Sequence, residues 1–150
     1  MPVRPFSEAD LMSVCAVYAA AKLDEFEHEA RQYTLLPLEQ DTERLGYLRA
    51  SEVFVYEDGE GVVQGFGARA GPQIRAMFVA PAARGRGVGR QLLERLLLGL
   101  DGQVGLNVAA SNRGARALYA RYGFSPDREF DTSYNGVPVT YLGMRRSPRR

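Results

Sequence analysis

The densest run of chemically suggestive residues is Phe78-Val79-Ala80-Pro81-Ala82-Ala83-Arg84-Gly85-Arg86-Gly87-Val88-Gly89-Arg90-Gln91-Leu92-Leu93. Strand-like residues stop at Pro81, glycines alternate with arginines, and a leucine-striped helix begins. Such a loop leaves backbone N–H groups open at a helix N-terminus, where the helix dipole favours an anion. Glycines remove the Cβ atoms that would hold a phosphate away from the main chain. Arg84, Arg86 and Arg90 add positive charge at the same point. These residue types suit a di-anionic phosphate ligand.

Two familiar phosphate loops do not fit. The dinucleotide pattern G-x-G-x-x-G needs glycine at position 90, which is Arg90. A Walker loop counted from Gly85 needs glycine and lysine at positions 90 and 91, which are Arg90 and Gln91. The spacing that does fit is R-x-x-G-x-G, met by Arg84, Gly87 and Gly89. A second patterned stretch follows from Asn112 to Phe124, with Asn112, Ala115, Tyr119, Gly123 and Phe124 spaced as N-x-x-A-x-x-x-Y-x-x-x-G-F.

In this order and on these elements, the two stretches resemble motifs A and B of the GNAT acetyltransferase superfamily, and the element order extends the likeness over roughly residues 3 to 145. The resemblance implies a mixed α/β GNAT fold. Its central, mostly antiparallel sheet would have about six or seven strands, the fourth and fifth splayed apart, flanked by about four helices. It implies acetyl-CoA as co-substrate, an amine acceptor, and direct transfer in a ternary complex. Backbone amides of Arg84, Gly85, Arg86, Gly87, Val88 and Gly89 would take the pyrophosphate, with Arg90 beside them as a further cofactor-binding residue. Met77, Phe78 and Val79 would pair with pantetheine amides as if with an added strand, and the N–H near Val79 would polarise the thioester carbonyl. Asn112 would contact the pantetheine arm. Tyr119 would lie beside the thioester sulfur and protonate the departing thiolate.

The base is open. Some GNAT histone acetyltransferases carry a glutamate on the fourth strand, where this chain has Gln73. Some ribosomal-protein N-terminal acetyltransferases carry one on the fifth, where it has Asn107. Neither amide accepts a proton at neutral pH. Glu25, Glu29, Glu52 or an ordered water chain remain. Glu25 and Glu29 also belong to an acidic run that would border the acceptor pocket and attract a cationic amine.

Each of these residues has a plainer reading. The glycine-arginine loop also serves as a simple strand-to-helix connection, Asn112 suits a helix N-cap, and Tyr119 fits a core aromatic. His28 sits among carboxylates that favour its protonated form, on what reads as a solvated helix face. Cys15 falls on an apolar helical stripe and reads as core packing. A non-catalytic acyl-CoA sensor is the rival function, and a phosphate-binding interaction module a third.

Positioning these groups requires the rest of the chain. Val3 to Phe6 reads as a strand, and Ser7 with Asp10 forms a capping box before a helix striped by Leu11, Val14, Cys15 and Tyr18. Leu23 to Arg49 reads as helical, interrupted near Leu36-Pro37. Val53 to Tyr56 and Val62 to Ala70 form a hairpin through Asp58-Gly59, and Ile74 to Val79 is another strand. Leu92, Leu93, Leu96, Leu97 and Leu100 stripe one helix, Val104 to Val108 is a strand, and Ala115, Leu118, Tyr119 and Tyr122 stripe a second helix. Phe130 to Tyr141 reads as a hairpin around Asn135-Gly136, a type I′ signal. The expected order is β-α-α-β-β-β-α-β-α-β-β.

At 150 residues this is one domain, expected over residues 1 to 146 with a short tail at 147 to 150. Apolar residues make up 45% and charged ones 25%, an ordinary globular balance. A net charge of +1 gives no field to recruit nucleic acid or a membrane. The Arg145-Arg146 and Arg149-Arg150 pairs read as a basic terminus only. Lys22 is the only lysine, and arginine supplies every other cation. A single cysteine excludes an internal disulfide and a cysteine metal cluster, and no metal is expected. With no signal-like or spanning apolar run, the cytoplasm is the expected compartment. A homodimer is compatible with all of this.

Overall fold

The Asp58 carboxylate accepts from the N–H groups of Glu60 and Val62 at 2.9 and 3.0 Å, and so fixes the turn between two strands. These are β2 (Glu52–Glu57) and β3 (Val63–Ala70), which pair antiparallel, with β1 (Val3–Pro5) added outside β2. β4 (Gln73–Val79) continues the antiparallel run against β3. A computed structural model describes residues 2–148 of the chain. Beyond β4 come α3 (Val88–Leu97), β5 (Val104–Ala109), α4 (Arg113–Arg121), β6 (Phe124–Tyr134) and β7 (Val137–Arg146). Between β1 and β2 lie α1 (Leu11–Ala21) and α2 (Thr42–Arg49).

The seven strands make one sheet in the order β1-β2-β3-β4-β5-β7-β6, antiparallel throughout except where β4 meets β5. The expected element order and mixed α/β class are those observed.

One apolar cluster joins Phe54, Ile74, Leu93, Leu96, Val104, Leu106, Val108 and Tyr119 beneath α3 and α4. Another joins Val14, Val17, Tyr18, Leu48, Val55 and Phe66 beneath α1 and α2. Helix α3 reaches the sheet because β3 carries glycines under it. A Cβ on Gly67 would stand 2.7 Å from Leu96 Cδ1, and one on Gly65 would meet Phe78 O, Leu92 and Val88 within 3.1 Å. That approach leaves Leu92, Leu93 and Leu96 with no exposed surface, and each such leucine is worth roughly 1.5–3 kcal/mol of burial. Arg69 of β3 then caps the far end of α3, donating to Leu96 O and Leu98 O at 2.6 and 2.8 Å.

Several expectations need correction. Leu23 to Arg49 is not a long helix. It holds a 3-10 turn at Lys22–Phe26, an irregular stretch through Pro37, a second 3-10 turn at Leu38–Gln40, and then α2. Tertiary bonds replace helical ones there. Tyr33 Oη donates to Pro138 O at 2.7 Å, and Leu36 N–H donates to Tyr134 Oη at 2.9 Å. The last hairpin is longer than Phe130 to Tyr141, because β7 pairs with β5 along its second half and β6 follows it. Asn135 and Gly136 do have positive φ, at 48° and 80°, as a type I′ turn requires. Leu100 lies beyond the end of α3. Cys15 is half-buried at the edge of its cluster. Of the expected tail, Ser147 and Pro148 are exposed, and residues 149 and 150 lie outside the described residues.

Candidate functional site

β4 and β5 pair only at Gln73↔Gly105 and Ile74↔Leu106. Past that point β4 keeps its partner β3 as far as Val79, and β5 keeps β7 as far as Ala109. Arg75 to Val79 therefore presents a strand edge with no strand beside it, in the middle of a sheet. Open edges bind extended chains with amides of their own.

The loop after β4 closes one end of this gap. Gly85 and Gly87 adopt φ of 79° and 81°, a left-handed backbone that other residues occupy at a cost of about 1–2 kcal/mol. Gly87 is the residue before α3, and no side chain caps the helix. Gln91 N–H closes the first helical bond, to Gly87 O at 3.0 Å, so the N–H groups of Val88, Gly89 and Arg90 are the open set of a helix start. Arg86 and Arg90 are exposed, while the Arg84 guanidinium donates to Asp24 at 2.8 Å.

The two patterned stretches converge here. A Cβ on Gly89 would lie 3.6–3.8 Å from Val79, Met77 and Leu118, so the helix start, the end of β4 and the flank of α4 meet at one point. Asn112 caps α4, its side chain accepting from Ala115 N at 3.4 Å, which is its plainer reading. Tyr119 lies one face along and is 8% exposed, edge-on to Phe124 at 6.1 Å. Its hydroxyl makes no hydrogen bond among the described residues. Burial, and then the Glu25 charge, push its pKa well above that of an ordinary tyrosine. Its hydroxyl therefore keeps its proton at neutral pH.

On the other side of the gap lies a pocket of about 650 Å³. Phe78, Ala76 and Ile74 of β4 form one wall, Asn107 of β5 and Tyr141 of β7 another, and Tyr18, Arg44 and Tyr134 close it. Behind Phe78 and Tyr141 sits a polar cluster. Lys22 is 1% exposed, and its ammonium pairs with the Glu25 carboxylate, which also accepts from Tyr141 Oη at 2.8 Å. The ammonium lies 4.8 Å from the Tyr134 ring and 5.7 Å from the Phe78 ring. Burial lowers the Lys22 pKa, Glu25 opposing it, and burial raises that of Tyr141, Glu25 adding to it.

The residues expected from sequence thus fall into two groups. Met77, Val79 and the start of α3 meet beside the gap, while Asn112 caps α4 and Tyr119 is buried in the cluster beneath α3 and α4. Glu25 and Glu29 occupy the gap's margin differently from a free acidic face. Glu25 is tied to Lys22 and Tyr141, and Glu29 accepts from the Ser111 hydroxyl at the β5–α4 connection. His28 and Glu27 are exposed on a turn and not on a helix. Glu52 pairs with Arg69 at 3.2 Å on an exposed stretch and does not line the pocket. Gln73 and Asn107 do line it.

Lys22, Arg44, Tyr18, Tyr134 and Tyr141 escaped the sequence reading. A lone lysine in an arginine-only chain was the one available signal, together with the turn at Asn135-Gly136, which sets Tyr134 and Tyr141 on one hairpin.

Among the described residues no helix is long and apolar enough to cross a membrane. A family model described as acetyltransferase (GNAT) domain matches residues 49–126, just over half of the chain. No curated protein matches. Among solved structures, a GCN5-related N-acetyltransferase from Rhodopseudomonas palustris has a TM-score of 0.77 at 21% identity, covering 97% of this chain and 94% of its own. A ribosomal-protein-alanine N-acetyltransferase from Brucella melitensis has a TM-score of 0.73 at 25% identity, with 98% and 99% covered. A phosphinothricin acetyltransferase from Sinorhizobium meliloti, in complex with acetyl-CoA, has a TM-score of 0.73 at 19% identity, with 99% and 90% covered. The likeness is one of fold.

Proposed function

We propose that this chain, which belongs to the GNAT acetyltransferase family, is an acetyl-CoA-dependent N-acetyltransferase acting on a primary amine of a small molecule or peptide. The observation that carries this reading is the unpartnered edge of β4 from Arg75 to Val79, running toward a glycine-bracketed helix start. A pantetheine arm has amides for the one, and a diphosphate has oxygens for the other. The residues present fit both halves of the ligand. Asn112 and the 84–90 loop hold its length, and Met77, Phe78 and Val79 hold its acyl end.

The chemistry then divides among the chain's own groups. The Tyr141 hydroxyl takes a proton from the acceptor ammonium as it passes its own to Glu25. The freed amine nitrogen bonds to the thioester carbon, whose carbonyl is polarised by the N–H near Val79. The carbon–sulfur bond breaks, sulfur leaves with the bonding pair and takes the Tyr119 proton, and the second proton on the attacking nitrogen passes to solvent as the amide forms. Amide, free thiol and one proton are the products, and Tyr119 and Glu25 return to their starting states by exchange with solvent.

Two measurements test this. Acetyl-CoA should raise the melting temperature with 1:1 stoichiometry, and a dephosphorylated nucleoside should not. Release of free CoA should be seen with at least one member of a panel of amines and peptides. Binding without release across the panel would favour the non-catalytic sensor, in which Gln73 and Asn107 stand where a base would be.

A further inference from the structure

The pocket that faces β4 carries more donors than the fold uses. Its charged lining is Asp41, Glu43, Arg44 and Arg75. Asp41 is spoken for: one oxygen accepts from Arg44 N–H at 3.1 Å as the cap of α2, and the other stands 3.5 Å from Arg44 Nε. Glu43 and Arg75 are exposed, and Arg75 stacks over Tyr47 at 5.2 Å.

Arg44 differs from these. Its guanidinium lies 6.0 Å from the Tyr18 ring and 5.8 Å from the Tyr134 ring, held by aromatic faces. Its Nε is buried without a hydrogen-bond acceptor, and its terminal nitrogens donate to no group among the described residues. Tyr18 is 1% exposed and lines the same pocket, and its hydroxyl also lacks a hydrogen-bond partner there. Arg44 Nε and the Tyr18 hydroxyl are buried without an acceptor, while the rest of the half-exposed guanidinium opens on the pocket, so the site suits a ligand that only accepts. A planar fork of N–H groups matches a carboxylate, two bonds to two oxygens.

We infer that the acceptor is an amine that also bears a carboxylate, which Arg44 grips from the α2 side while the amine faces Tyr141 and Glu25. This rests on the acetyltransferase reading and narrows its substrate class. The pocket then offers the Arg44 guanidinium at one end and, at the other, the Tyr141 hydroxyl backed by the Lys22-paired Glu25 carboxylate. A zwitterion of amino-acid size fits both the polarity and a volume of about 650 Å³.

The test compares an amino acid, its carboxamide and its decarboxylated amine as acceptors in the parent, Arg44→Gln and Arg44→Lys. The parent should prefer the carboxylate by about 10- to 100-fold in kcat/KM, mostly through KM. Arg44→Gln should erase most of the preference while keeping the acetyl-CoA-induced rise in melting temperature, and Arg44→Lys should keep part of it. A dipeptide arm separates a free amino acid from a peptide whose carboxylate lies further from the amine.

A second arm needs no turnover. N-acetyl amino acids and the matching N-acetyl amines are titrated against the CoA-saturated protein and the protein alone. Tighter binding of the carboxylates, lost in Arg44→Gln, upholds the inference even if every acceptor stays unreacted. Equal binding and equal kcat/KM across the panel overturn it, as does a preference that survives Arg44→Gln. Absence of an acetyl-CoA effect would count against the transferase reading alone.

Discussion

The glycine-loop end of the cleft is made of chain neighbours, β4, residues 84–90 and the first turn of α3, whereas the pocket end joins Lys22 to Tyr141 and Leu36 to Tyr134 across 119 and 98 positions. The first needs a short glycine-permitted turn and little else. The second exists only when the 22–41 segment has docked under the β6–β7 hairpin, so its geometry depends on the whole fold and on a buried ion pair. One end is a local device and the other a global one. Substitutions at the two ends should therefore separate ligand binding from folding.

The largest effect is expected at the global end. Lys22→Met leaves the Glu25 carboxylate facing Tyr141 without its cation, and breaking such a pair costs roughly 3–5 kcal/mol. Urea unfolding should show that loss, and Lys22→Met with Glu25→Gln should recover most of it. A single-variant loss under about 1 kcal/mol would mean that packing, not the pair, holds the pocket end. Next comes Tyr119→Phe, which removes a hydroxyl that makes no hydrogen bond among the described residues. Stability and acetyl-CoA affinity should stay near the parent values while kcat falls by about 100-fold. The fall should shrink for an acyl donor with a more acidic thiol. Unchanged kcat, measured with chemistry rate-limiting, would return Tyr119 to a core aromatic.

At the local end, Gly87→Val forces a branched residue to φ near 81° and should cost on the order of 1–2 kcal/mol in stability while abolishing the acetyl-CoA shift. Gly89→Ala sharpens the point. Its Cβ has ordinary contacts of 3.6 Å or more, so folding should be untouched and any loss of binding reports phosphate approach to the main chain. Full binding by both variants would remove the loop from the site.

The smallest effect serves as a baseline away from both ends. Arg4 bonds the Asp10 carboxylate at 2.9 Å and, with burial opposing, lowers its pKa from 3.8 to about 2. A depressed carboxylate stabilises the fold above its unfolded value, so that contribution is whole above pH 3.8 and fades as pH falls toward 2. Asp10→Asn should flatten the acid limb of stability by about 1 kcal/mol and leave kcat at pH 7 alone. A matching loss of activity would tie α1 to the cleft more tightly than its contacts do.

The same local-global contrast explains what could be read from the residues alone. The 78–93 stretch carries its own geometry, since glycine at positive φ and a helix start are properties of a few consecutive residues. Tyr119 was visible by spacing from Asn112 on one helix. The hairpin turn was visible too, because Asn135-Gly136 chooses its own backbone. Leu23 to Arg49 misled because its leucines and charges suit a helix, yet Tyr33 and Leu36 spend their bonds on Pro138 and Tyr134. Arg44 could not be singled out in a chain of arginines. Its distinction is two tyrosine rings, one on α1 and one at the end of β6, that only the fold brings beside it.

The two-residue contact between β4 and β5 also has a consequence for how the sheet should open. Continuous in strand order, the sheet is nearly cut in hydrogen bonding, with β1–β4 as one leaf and β5–β7 as the other. Across the cut run the Ile74–Leu106 side-chain cluster and the two residue pairs, while β6 and β7 are zipped along almost their whole length. Amide deuterium uptake should therefore resolve two cooperative units instead of one, the seam exchanging first. An extended ligand lying along β4 would act as a missing strand and fuse them.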